Sequence, residues 1–78
     1  MAQEREAVGA VIRRRFGAGT KNEHEAIWLD CGATRYVLRR PGGNPFADPE
    51  LSALVGKRIR ARGTVLGYIF ILNEWADE

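Results

Sequence analysis

The chain has one cysteine, one histidine, one serine and no long apolar run, and each scarcity argues against a class of function. A single cysteine, Cys31, can form neither an intramolecular disulfide nor a thiolate metal cluster. With His24 as the only imidazole, three or four metal ligands would have to come mainly from carboxylates. Ser52 and His24 each lack a sequence-evident base or orienting partner, which nucleophilic catalysis requires. Glu23 and Glu25 lie together in a loop-to-strand junction, the setting of a solvated pair rather than an acid–base dyad. No phosphate-loop or dinucleotide fingerprint occurs. The expectation is a protein that is not an enzyme and needs no metal or cofactor. No apolar stretch approaches the roughly 18–20 residues of a membrane-crossing helix, and the opening MAQEREA has no apolar segment of the signal-peptide kind. A cytoplasmic protein is therefore expected.

What is present is a basic body with acidic ends. The net charge over 78 residues is +2. Between Val8 and Leu72, however, eleven Lys and Arg face five acids, an excess of six, while Glu4, Glu6, Asp77 and Glu78 cluster at the two ends. Such an asymmetry suits an anionic partner, and it equally suits a solvated surface. Residues 7–75 read as one domain, with 1–6 and 76–78 as acidic, flexible tails.

Alternation with a period of two dominates the chain, which is the signature of strands with one face buried. In residues 8–16, Val8, Ala10, Ile12 and Phe16 share the face assigned to the interior; Gly9, Val11, Arg13 and Arg15 share the other, and Arg14 interrupts the inner set near the strand's end. Residues 17–24 form a polar, glycine-containing loop. A second strand over 25–31 turns Ile27, Leu29 and Cys31 inward and Trp28 outward. Gly32 and Ala33 make a short turn into a third strand over 34–40, with Tyr36 and Leu38 inward and Arg35, Val37 and Arg39 outward; the close spacing predicts an antiparallel hairpin. The stretch PGGNPF over 41–46 cannot continue a strand.

A short helix follows over about 49–55. Asp48 suits the N-cap, Pro49 the first helical position and Glu50 the positive end of the helix dipole. Leu51, Leu54 and Val55 share one face, and Gly56 stops the helix. Two turns do not stand alone, so the leucines must pack on something apolar. The fourth strand, 57–66, sets Ile59, Ala61, Gly63 and Val65 inward against Arg58, Arg60, Arg62 and Thr64. After Gly67, a fifth strand over 68–75 places Tyr68, Phe70 and Leu72 inside, leaving Ile69, Ile71 and Trp75 on its outer face.

The order strand, strand, strand, helix, strand, strand resembles the OB-fold, a five-stranded Greek-key barrel with a helix between strands three and four. The stretch LVGKRIRARGTV (54–65) carries the resemblance most directly: an apolar pair, glycine, a basic residue, an alternating strand, a mid-strand glycine where a barrel bends or bulges, then an apolar residue. The chain looks like small stand-alone bacterial OB-type domains without assigned activity, with an SH3-like barrel as the alternative. The resemblance implies an interior of Val8, Ile12, Ile27, Leu29, Leu38, Ile59, Val65, Phe70 and Leu72, plugged by Leu51 and Leu54.

Two surfaces then compete for function. Ile69, Ile71 and Trp75 would form an apolar stripe for a protein contact or self-association, the leading expectation. The alternative is salt-sensitive binding of single-stranded nucleic acid, which pairs a basic groove with base-stacking aromatics. Its candidates are Trp28, flanked by Arg35 and Arg39, together with a band in which Arg13 and Arg15 of the first strand adjoin Arg58, Arg60 and Arg62 of the fourth. The tight turn at Gly67 offers no long loop to clamp a ligand.

Overall fold

The computed structural model describes residues 3–16, 24–42 and 48–78. Five strands and one helix follow in the order β1 (Gln3–Phe16), β2 (His24–Asp30), β3 (Arg35–Arg39), α1 (Pro49–Leu54), β4 (Arg58–Leu66) and β5 (Ile69–Asp77). The protein is mainly β, with all five strands in one sheet whose order β1-β2-β3-β5-β4 closes on itself as a ring. All strand pairs are antiparallel except β3 with β5. The polar loop at 17–23 and most of the proline- and glycine-rich stretch, 43–47, lie outside the described residues.

β1 is long because it serves two partners. Its first half pairs with β4, Gln3 opposite Val65 through Ala10 opposite Arg58, and its second half with β2, Ala10 opposite Asp30 through Phe16 opposite His24. The ends expected to be tails are therefore partly strand: residues 3–6 belong to β1, and residues 76 and 77 to β5. Alternation alone does not reach them, because residues 3–6 are all polar and Ala76 with Asp77 is too short a pair to show a pattern; the cross-strand pairing places them in the sheet.

The interior is built from Val11, Leu29, Leu38, Ile59, Ala61, Phe70 and Leu72, closed by Leu51 and Leu54 of α1. Asp48 caps α1, its Oδ1 accepting from the backbone N–H groups of Glu50 (3.1 Å) and Leu51 (3.4 Å). Tyr36 meets Phe70 edge-on at 5.6 Å between ring centroids, an arrangement that suits the ring quadrupoles.

The phase of β1 is the reverse of the one its composition suggests. Val11 is fully buried and Ala7 packs against the core, whereas Val8 and Ile12 are half-buried and lie outside it. Both faces of this strand carry apolar residues, so hydrophobicity does not decide between them. Backbone approach does: a Cβ on Gly9 would come within 2.5 Å of the Asp30 carbonyl oxygen. The strand passes from β4 to β2 with its glycine turned to the crowded side, and Val11 follows inward two residues later. Tyr68 also departs from expectation. It lies in the two-residue turn between β4 and β5 and is 53% exposed rather than filling the interior.

The second departure is in β5. Gly63 stands opposite Leu72 and Arg62 opposite Glu74, so Asn73 is an extra residue in β5 and the ladder bulges there. A side chain at Gly63 would overlap the Ile71 carbonyl oxygen, which explains the glycine expected at a bend. The bulge reverses the alternation beyond it. Trp75 falls opposite Ala61, in the inward phase, and not in the outer stripe of Ile69 and Ile71.

These phases make a direct test. Val11→Ala is expected to cost about 2 kcal/mol, from roughly 0.8 kcal/mol per buried methylene plus the cavity left behind. Val8→Ala, the same substitution on the opposite face, should cost less than about 1 kcal/mol. Urea denaturation of both variants measures the difference, and equal losses would contradict the assigned phase.

Candidate ligand-binding face

Five apolar residues follow one another across the outside of the ring in direct register: Ile12 on β1, Trp28 on β2, Val37 on β3, Ile69 on β5 and Leu66 on β4. Val37 and Ala26 are buried although they point away from the interior, so the outer face at this point is itself packed. Trp28 is half-buried within it.

Cations surround Trp28. Because Ile12 and Val37 stand directly opposite it, Arg14 on β1 and Arg35 and Arg39 on β3 occupy diagonal positions, separations that long side chains can bridge. A concavity of about 200 Å³ opens here, lined by Arg14, Arg15, Trp28 and Arg35. Arg35 reaches the Asp30 carboxylate at 3.5 Å, and Asp30 also accepts the Gly32 N–H at 2.9 Å, which fixes the β2–β3 turn beside the concavity.

The arginines of β4 lie in a different electrostatic setting. Arg62 pairs with Glu6 at 3.4 Å and has Glu74 opposite it on β5, while Arg60 pairs with Glu78 at 3.4 Å. Lys57 approaches Asp77 at 3.8 Å and lies 5.9 Å from the centroid of the Trp75 ring. The acids of the two ends thus fold back onto β4 and balance it.

The single arginine band expected from β1 and β4 does not form. Arg58, Arg60 and Arg62 stand opposite Ala10, Val8 and Glu6, in the first half of β1. Arg13 and Arg15 are in the second half, opposite Ile27 and Glu25 of β2. Adjacent strands need not bring their basic stretches together when a strand changes partner midway. The strand register does bring together Trp28, Arg35 and Arg39, and Arg15 joins Trp28 and Arg35 at the concavity, which Arg39 does not line. Arg14 is the residue that sequence reading missed. By composition it interrupts the inner set of the first strand, and it becomes an ordinary outer residue once Gly9 sets the phase.

Cys31, just past the end of β2, is half-buried and packs against the core. Burial raises its thiol above the ordinary range, the Asp30 charge adds to this, and Arg58 opposes both. His24 is the first residue of β2. Among the described residues no group of three or more His, Cys, Asp or Glu side chains gathers in a way that could hold a metal ion, and no helix is long and apolar enough to cross a membrane. Comparison with protein-family models, with curated proteins and with solved structures finds no match for this chain.

At the end of β3, Arg40 donates from Nε to Asp48 at 2.9 Å and lies 3.0 Å from Glu50 through Nη1, tying the strand to the start of α1. The Arg40 hydrogen bond holds the Asp48 carboxyl below its usual range, helped by the N–H groups of Leu51 and Glu50 against the opposing effect of burial. A carboxyl lowered by folding stabilises the protein above its unfolded pKa of about 3.9, and this contribution is lost as pH falls through the folded value. Asp48→Ala is therefore expected to cost about 1–2 kcal/mol at pH 7, as an N-cap loss does. The gap from the parent chain should narrow below about pH 4. Urea denaturation of both proteins across pH 2–7 checks this, and a gap independent of pH would contradict it.

Proposed function

We propose that the protein is a non-catalytic binding module for single-stranded nucleic acid, with its ligand on the outer face of β1, β2 and β3 around Trp28. The observation that carries this reading is the concavity in which Trp28 is lined by Arg14, Arg15 and Arg35. An indole supplies a stacking surface for any base, and guanidinium groups around it supply phosphate contacts that do not depend on sequence. Among the described residues that line it there is no nucleophile or general acid–base pair.

The ring fits an OB-fold barrel on three counts: its strand order, its single parallel pair of β3 with β5, and a helix between β3 and β4 whose leucines close the interior. An OB-fold hosts many functions, so the argument for nucleic acid rests on the site.

A second reading, a protein contact or self-association, is favoured by Leu66 and Tyr68, 46% and 53% exposed beside Ile69 at the β4–β5 turn. It ranks lower because Ile69 and Ile71 are half-buried and the bulge removes Trp75 from their stripe.

Fluorescence anisotropy with labelled 12-nucleotide single-stranded RNA and DNA tests the first reading. Three phosphate contacts predict a slope near −2 in log affinity against log salt, hence a loss of about 20-fold between 50 and 200 mM salt. Trp28→Ala should weaken binding by about 5- to 150-fold, the range for one lost stacking contact, whereas the Arg60→Ala/Arg62→Ala double variant should stay within about twofold of the parent. No binding at 50 mM salt, or a Trp28→Ala variant that binds like the parent, refutes it. The second reading predicts a dimer mass in light scattering that Ile69→Lys abolishes.

A further inference from the structure

Among the described residues only two basic side chains are half-buried, Arg39 and Arg40. They are consecutive in the chain, and their surroundings differ. Arg40 has two carboxylates, Asp48 at 2.9 Å and Glu50 at 3.0 Å. Arg39 has no carboxylate of a described residue within ion-pair distance, and its Nε is closed to solvent with no hydrogen-bond acceptor.

A guanidinium withdrawn from water without a counter-ion destabilises the chain that carries it. Arg5, Arg13, Arg14 and Arg58 avoid this by standing in solvent; Arg39 does not. Its place in the fold gives a reason. It is on the outer face, diagonal to Trp28 across the β2–β3 pair, and the register that sets Trp28 opposite Val37 would set the small side chain of Ala26 opposite Arg39. A partly desolvated donor fork therefore lies one diagonal step from the stacking surface.

We infer that Arg39 is the phosphate anchor of this face, so that the smallest ligand is one nucleotide unit, its base on Trp28 and its phosphate on Arg39. The inference rests on the nucleic-acid reading above and narrows it. Arg14, Arg15 and Arg35 form an exposed rim whose contacts salt screens, whereas the contact to Arg39 is shielded and persists at higher salt. The planar fork grips a phosphate through two parallel hydrogen bonds, which lysine cannot reproduce.

Titration of Trp28 fluorescence in a Trp75→Phe background, with uridine, inorganic phosphate, uridine 5′-monophosphate and a 12-mer of uridylate, tests the inference. The monophosphate should bind at least about 10-fold tighter than uridine, the effect of a hydrogen bond to a charged group. That advantage should vanish in Arg39→Met and largely vanish in Arg39→Lys. Without ligand, Arg39→Met should melt at the same temperature as its background or higher, by on the order of 4 °C, while Arg40→Met should melt lower. A monophosphate no tighter than uridine, an advantage retained in Arg39→Met, or a lowered melting temperature for Arg39→Met would overturn the inference. If the 12-mer still binds through Trp28 under any of those outcomes, the phosphate anchor fails and the nucleic-acid reading stands. If the 12-mer does not bind either, both fail.

Discussion

At Gly63 the backbones of β4 and β5 approach so closely that one methyl group would overlap the Ile71 carbonyl oxygen. The ladder accommodates this approach by admitting Asn73 as an extra residue in β5, and the bulge decides which residues face outward over the last third of that strand. Had the alternation run through unbroken, Trp75 would stand opposite Arg60 and Glu74 opposite the buried Ala61, giving an aromatic among arginines and a carboxylate in the interior. With the bulge, Glu74 comes opposite Arg62 and Trp75 opposite Ala61. One steric constraint thus leaves the β4 arginines among acids, with Trp75 opposite Ala61 and at the side of the concavity it shares with Arg60, Arg62 and Glu74.

The change of partner along β1 separates the two basic regions. Ala10 is the shared residue, opposite both Arg58 and Asp30. Before it, Glu6 and the acids at the end of β5 balance Arg60 and Arg62; after it, Arg13, Arg14 and Arg15 run alongside β2, where Trp28 lies. Exposed ion pairs of the β4 kind contribute little to stability, on the order of 0–1 kcal/mol each, but they remove the field that would attract an anion. The net charge of +2 conceals this division, because acids and bases are unevenly distributed over the two faces. The proposed site is where a stacking surface coincides with Arg14 and Arg39, neither of which is ion-paired to a described residue.

Much of this was legible in the chain, and the failures have identifiable causes. Strand number and order, the Asp48 cap and the inward set on β2, β4 and the start of β5 follow from alternation and from turn chemistry, since in those strands one face is plainly more apolar than the other. In β1 both faces are apolar, so Gly9, an apparently neutral residue, carried the information about phase. Trp75 was misplaced because a bulge breaks a period-two pattern without leaving a mark on hydrophobicity; Gly63 signalled a bulge, but its location in the partner strand is set by contact. The arginine band failed for a related reason, since strand adjacency does not specify which halves of two strands pair. Trp28 with Arg35 and Arg39 was legible because a short hairpin fixes their register locally. The half-burial of Arg39 was not, because burial depends on tertiary packing, which a period-two pattern does not encode.

The most direct test is to map where a single strand lands. Backbone and indole amide shifts recorded by ¹H–¹⁵N NMR during titration with a 12-mer of uridylate separate the two arginine surfaces without any substitution. The account predicts that the largest changes fall on the Trp28 indole and on Ile12, Arg14, Arg35, Val37 and Arg39, with Arg58, Arg60, Arg62 and the Trp75 indole little affected. Changes centred on β4 and Trp75, or none at a saturating excess of the oligonucleotide, would contradict it.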